Sequence, residues 1–334
     1  MAADLAEMIQ QKGCLLADGA IGTNLFQMGL ETGYPPELWN VEQPAKIIDL
    51  HRSFIAAGAD ILLTNSFGGT SFRLKLHQSE TRVAELNLAA ARLAREVADQ
   101  ADRPVLVAGS IGPTGELFAP LGSLTPQTAE QAFQEQAHAL AQGGVDMLWI
   151  ETMSSLEEVE AAKKAAKTTG LPVIATMTFD TAGRSMMGVR PEDYARFAHQ
   201  IGLDGFGANC GIGPAELIDS VYHFQPEQQD IIVVAKGNCG IPSFVEGAIH
   251  YHGTPELMAD YACIARDLGV HIVGGCCGTS PEHLAAMRAA LNERPIAPPP
   301  STEQIEAQLG KAWKALANAP DGEGRERGRR RRRR

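Results

Sequence analysis

The sequence predicts an α/β fold, a (β/α)₈ barrel, with a short C-terminal helical extension and an arginine-rich tail. Three observations carry that expectation. Eight short apolar runs, rich in β-branched residues, are each bounded by Gly, Pro, Asn or Asp, as buried parallel strands are. A helical pattern follows each run, and such alternation implies right-handed βαβ units in a parallel sheet. The 334 residues include 34 Gly and 19 Pro, with 44% hydrophobic and 21% charged residues, the make-up of an α/β protein with many loops. An open doubly wound sheet is the alternative topology, and eight repeats favour closure into a barrel.

The expected strands are 14–19 (CLLADG), 60–67 (DILLTNSF), 104–111 (PVLVAGSI), 146–152 (DMLWIET), 172–179 (PVIATMTF), 204–210 (DGFGANC), 230–238 (DIIVVAKGN) and 270–277 (VHIVGGCC). The clearest helices are 80–100, 126–143 and 155–169, the last with acids in its first turn and lysines in its last. Pro191, Pro214, Thr254 and Pro281 stand where later helices should begin, since Pro suits the first helical position and Thr the N-cap. The barrel is therefore expected over 1–293. A Pro-rich break (294–301) and an amphipathic helix over 302–317, with Ile305, Leu309, Trp313 and Leu316 on one face, fall within an appended segment, 294–324. That helix could pack on the barrel or on a second copy in a homo-oligomer.

The formal charge of −11 is uneven, because the last ten residues (325–334) hold eight Arg and one Glu, a charge of +7 that leaves −18 for the rest. So acidic a body argues against specific nucleic-acid binding, and the arginine run reads as a solvated, disordered terminus. The N-terminal stretch has no long apolar run, so neither a signal peptide nor a membrane span is expected, and the expected location is the cytoplasm. Six Cys, two of them adjacent, do not read as a disulfide scaffold.

In such a barrel the site lies at the C-terminal ends of the strands. Asp18 ends the first strand, Asn65, Ser66 and Phe67 the second, Glu151 the fourth, Asn209 and Cys210 the sixth, Asn238 and Cys239 the seventh, and Cys276 and Cys277 the eighth. Closure sets strands six and eight two apart, close enough for Cys210, Cys276 and Cys277 to share a metal. Three thiolates suit Zn²⁺ and leave a fourth position for a substrate thiol. The bland alternative is that each Cys is a small buried hydrophobe, and Cys239 as a fourth ligand would make a closed structural site. The glycine-rich loops at 18–23, 66–70 and 110–116 match no P-loop and no dinucleotide fingerprint, so a nucleotide cofactor is not expected. A carboxylate held by backbone N–H groups fits them better.

The stretches LLADGAIGTNL, ILLTNSFGGT, SIGPTGE, WIETMSSLEE, GANCGIGP and GGCCGTSPEHL together resemble the homocysteine S-methyltransferases, from about residue 12 to about residue 292. The resemblance implies a zinc-binding barrel with Cys210, Cys276 and Cys277 as ligands and homocysteine as methyl acceptor. It further implies that Asp18 and Glu151 hold the amino group, that backbone near Phe67 and Gly68 holds the carboxylate, and that Asn209 belongs to the homocysteine site. For the donor, length and stand-alone form resemble bacterial betaine-dependent members, with Trp39, Phe67 and Phe72 as candidate aromatic walls of the donor pocket. Gly68 and Thr152 stand where the animal betaine enzymes carry Tyr. The alternatives are S-methylmethionine and a separate methylcobalamin protein, to which this chain would be the homocysteine-activating subunit of a split methionine synthase.

Overall fold

The computed structural model describes residues 4–224, 227, 230–240, 242–245 and 248–312, without the side chains of 241–250. Eight parallel strands form the barrel wall: β1 (Leu15–Leu16), β2 (Ile61–Leu63), β3 (Leu106–Ile111), β4 (Met147–Met153), β5 (Val173–Met177), β6 (Gly205–Cys210), β7 (Ile232–Gly237) and β10 (Ile272–Gly275). Around the wall they run β1-β10-β7-β6-β5-β4-β3-β2, and the ring closes where Ala17 pairs in parallel with Ile61. Each expected strand is present and all but β4 are shorter; β1, β2, β5, β7 and β10 end before their expected last residues, which turn into the loops of the mouth. Two further strands, β8 (Pro242–Val245) and β9 (Ala248–Tyr251), form an antiparallel hairpin after β7 that the sequence reading missed.

The expected helices lie at Val83–Asp99, Pro126–Gln142 and Leu156–Lys167. Pro191, Pro214 and Pro281 each begin a helix, and Thr254 caps one by accepting from Leu257 N. The barrel helices rest on the sheet through small faces, as Ala90, Ala91, Ala94 and Ala98 do on Val83–Asp99. Helix Thr302–Leu309 seats Ile305 in the core against helices Pro214–Phe224 and Pro255–Asp267. It stops earlier than the periodicity predicts, at Gly310, whose φ of +86° favours glycine and ends helices. Trp313, Leu316 and the arginine tail lie outside the described residues. No helix among the described residues is long and apolar enough to cross a membrane.

Period two along each strand sorts the wall into two layers. Leu16, Leu62, Val107, Leu148, Val173, Phe206, Val233 and Val273 face the helices. Leu15, Ile61, Leu106, Met147, Trp149, Ile174, Val234 and Ile272 fill the lumen, and Met8 of the N-terminal helix Leu5–Lys12 joins them from below. β6 needs glycine at its inward position, since a Cβ on Gly207 would lie 1.9 Å from the carbonyl oxygen of Val234.

The β1–β2 seam is held at the barrel base by Asp60, 1% exposed, whose Oδ2 accepts from Leu16 N at 2.9 Å. Three cations from separate elements converge on its carboxylate: Lys12 at 2.5 Å, Arg103 at 3.4 Å, and Arg288. Asp60→Asn removes the negative charge and leaves three partly buried cations facing one another. Denaturant unfolding should show a loss of about 3 kcal/mol or more, the range for breaking a buried ion pair. A loss below about 1 kcal/mol would mean that the clamp does not hold the seam.

A candidate metal and substrate centre at the barrel mouth

The lumen turns from apolar to polar two residues beyond its last apolar layer. On β3 the inward series continues from Ala108 to Ser110, on β4 from Trp149 to Glu151, on β5 from Ile174 to Thr176, and on β7 from Val234 to Lys236. Above this polar floor opens a cavity of about 450 Å³, within the range of about 300–1,000 Å³ common for small-molecule sites. Cys210, Cys276, Cys277, Glu151 and Lys236 line its inner end.

Cys210, Cys276 and Cys277 come together from β6 and the turn after β10, with all three sulfurs within 4.8 Å of one another. Cys210 Sγ and Cys277 Sγ are 3.9 Å apart. Sulfurs at two corners of a tetrahedron with Zn–S bonds of about 2.3 Å stand about 3.8 Å apart, so the spacing fits zinc. Cys210 is turned inward by a left-handed backbone, φ +62°, followed by Gly211 at φ +79°, a conformation that costs an L-residue about 1 kcal/mol or more. Hydrogen bonds from Cys210 and Cys276 push the Cys277 thiol down, while Cys210 is pushed up by hydrogen bonding to Cys276 and Cys277 and by burial. The three thiols interact, so their protons leave as those of one group.

The surrounding loops are pinned by amides. Asn238 accepts from Cys277 N at 3.0 Å and donates to Gly211 O at 2.6 Å, tying the β6 and β10 loops together. Asn209, fully buried, accepts from Thr152 N at 2.8 Å and Thr176 Oγ1 at 2.7 Å, and its Nδ2 donates to Thr152 Oγ1. Its amide also reaches Cys276 Sγ at 3.9 Å. Asn209 is thus committed to its neighbours and orients the thiols from behind the cavity wall. Cys239 stays out of the cluster; its buried thiol donates to Gly253 O at 3.2 Å.

The acidic pair has a partner that the sequence reading missed. Lys236, with a side chain 4% exposed, places Nζ 3.0 Å from Asp18 Oδ1, while Asp18 Oδ2 accepts from Leu63 N at 2.8 Å. Burial pushes the Asp18 carboxyl up against the pull of Lys236. Glu151 accepts from Ser110 Oγ at 2.5 Å and is pushed up to about 7, chiefly by burial, with Lys236 opposing. The signal for Lys236 lay in DIIVVAKGN: a Lys two places after Val234 in a strand buried on both sides must face the lumen.

The outer wall is aromatic and basic: Phe26, Tyr34 and Phe67, with Arg73 and His77. These rings are 46%, 37% and 38% exposed, so their faces are not taken up by packing. Tyr34 is steadied by donating to Glu42 Oε2 at 2.6 Å. Of the aromatic residues expected here, only Phe67 lines the cavity. Trp39 is buried in the core with Lys46 Nζ 4.4 Å from its ring centre, and Phe72 packs against the same core. Gly68 lines the cavity, but its N–H donates to the buried Glu37 at 2.6 Å, and Gly69 N–H donates to Ser66 O. Neither amide is free for a ligand carboxylate.

Residues 15–291 match a sequence model of the family described as homocysteine S-methyltransferase. Methionine synthase of Mycobacterium tuberculosis is 30% identical over 325 residues, covering 90% of this chain and 27% of that protein. Methionine synthase of Mycobacterium leprae is 30% identical over 306 residues, covering 86% and 25%. The chain therefore spans about a quarter of the length of these curated relatives. Among solved structures, the homocysteine methyltransferase MmuM from Escherichia coli matches in its oxidised form with a TM-score of 0.72 at 22% identity, covering 86% of this chain and 99% of MmuM. Its metallated form matches at 0.71 and 23%, covering 85% and 99%. These last two likenesses concern the fold alone; the match over residues 15–291 makes the chain a member of the homocysteine S-methyltransferase family.

Proposed function

We propose that the chain catalyses zinc-dependent transfer of a methyl group to the thiol of homocysteine, giving methionine, with betaine as donor. The meeting of three cysteine sulfurs at the inner end of an open cavity carries this reading. Cys210, Cys276 and Cys277 would hold Zn²⁺, which when bound lowers the pKa of a fourth, substrate thiol so that it is held as thiolate at neutral pH. Glu151 and Asp18 take the homocysteine ammonium, with Lys236 countering one of their two charges and Asn209 holding the thiols in register. The cavity edge at Phe67 and Gly68 borders the homocysteine carboxylate.

The transfer is a displacement at carbon. The homocysteine sulfur forms a bond to the methyl carbon, the C–N bond of betaine breaks, and its electron pair stays on nitrogen, so methionine and dimethylglycine are formed without any redox partner. Phe26, Tyr34 and Phe67 offer π-faces to the quaternary nitrogen, each worth about 0.5–2 kcal/mol. They stand in for the two Tyr that Gly68 and Thr152 replace. S-methylmethionine, another onium compound, fits the same walls. A second reading, transfer from a separate methylcobalamin protein, is favoured by the relatives named methionine synthase, of which this chain matches about a quarter.

Three measurements test these assignments. Cys210→Ala should leave the fold intact by circular dichroism, lower bound zinc from about one equivalent to a small fraction and abolish methionine formation; retention of stoichiometric zinc would contradict the ligand assignment. Methionine formation with betaine, S-methylmethionine or a methylcobalamin protein in parallel should proceed with betaine; activity only with the cobalamin protein would move the assignment to the second reading. Glu151 binds an ammonium only as carboxylate, and with its pKa at about 7 the ionised fraction falls as pH falls. The homocysteine KM should therefore rise about tenfold between pH 8 and pH 6, and in Glu151→Gln that pH dependence should vanish. An identical pH profile in both proteins would remove Glu151 from the substrate site.

A further inference from the structure

We propose that Arg73 forms an anion subsite at the outer wall of the cavity and takes the carboxylate of the methyl donor. The inference rests on the reading of the site as one that uses a small onium donor, and it adds the residue that recognises that donor's carboxylate. Two Lys or Arg side chains line the cavity. Lys236, at the inner end, is paired with Asp18 at 3.0 Å. Arg73, at the mouth, makes no hydrogen bond or ion pair through its side chain among the described residues. The carboxylate it acts on through space, Glu37, is 5% exposed and accepts from Gly68 N at 2.6 Å. Glu37 lines the same cavity and stays out of hydrogen-bond contact with Arg73, so this half-buried guanidinium has its donors free for a ligand, and its planar fork matches a carboxylate in two parallel hydrogen bonds.

The position of Arg73 is fixed from both sides. Thr70 caps the short helix Ser71–Lys75 by accepting from Arg73 N, and Leu74, 1% exposed, anchors that helix in a cluster with Leu38, Val83 and Leu86. Across the mouth, a Cβ on Gly115 would lie 3.2 Å from Arg73 Nη1, and Gly115 has φ +83°, so bare backbone leaves room for the guanidinium. His77, four residues on, lines the same wall. The aromatic faces of Phe26, Tyr34 and Phe67 and the guanidinium of Arg73 thus place a cation-binding and an anion-binding element on one wall, away from the acids at the inner end. A donor with onium and carboxylate on one small molecule meets both at once.

The test compares wild type, Arg73→Gln and Arg73→Lys, each zinc-loaded, with betaine and with choline, which keeps the onium centre and lacks the carboxylate. Arg73→Gln should raise the betaine KM by about 10–100-fold, the range for a lost charged hydrogen bond, with the homocysteine KM within twofold and zinc content unchanged. Arg73→Lys should recover part of the loss. Wild type should use choline poorly, and Arg73→Gln should use it no worse. An unchanged betaine KM in Arg73→Gln, or a rise confined to homocysteine, would overturn the assignment while leaving the methyltransferase reading intact. A wild type that uses neither betaine nor S-methylmethionine contradicts the donor reading itself, and the Arg73 assignment falls with it.

Discussion

Closure of the parallel sheet, clamped at the β1–β2 seam by Asp60 and its three cations, is the constraint on which the mouth of the barrel depends. Residues separated by more than sixty positions, such as Cys210 and Cys276, meet because the ring leaves only β7 between β6 and β10. Register then does the fine placement. Cys210 pairs with Gly237 across β6 and β7, and Gly275 pairs with the same Gly237 across β7 and β10, so the thiols after both strand ends leave the sheet at one height.

Burial of charge sets the electrostatics of what lies above. Asp18, Glu151 and Lys236 are removed from water in a small volume, and burying any one of them unpaired would be costly. The Lys236–Asp18 pair lowers that cost, while burial raises the carboxyls of both Asp18 and Glu151 against the pull of Lys236. The cavity is therefore graded: thiols, Glu151 and Lys236 at its inner end with Asp18 buried behind Lys236, and the Arg73 guanidinium with exposed aromatic faces at its rim. A substrate with a thiol and an ammonium suits the inner end, and a zwitterionic donor suits the rim.

Much of this was legible in the sequence, and the exceptions have physical causes. All eight wall strands could be found because strands buried on both faces are continuous apolar runs, and the cysteine cluster because motif ends coincide with strand ends. Lys236 was passed over since it sits inside such a run, although period two from Val234 points it inward. Trp39 was misplaced because nearness to a mouth loop does not fix side-chain direction; its helix, Trp39–Glu42, turns the ring into the core beneath Lys46. Phe26 sits on the short helix Ile21–Gln27 and Tyr34 in the loop beyond it, and neither so brief a helix nor a loop shows a period that fixes side-chain direction. The β8–β9 hairpin was missed although the distance from β7 to Thr254 exceeds an ordinary loop, which was itself a sign of further structure.

The central claim is that three sulfurs hold zinc and leave one position for the thiol of homocysteine. X-ray absorption at the zinc edge of the purified, zinc-loaded protein, recorded with and without homocysteine, tests it most directly. Three sulfurs at about 2.3 Å with one lighter ligand, becoming four sulfurs when homocysteine is added, is the predicted result. Four sulfurs without homocysteine, or an unchanged shell with it, would contradict the account.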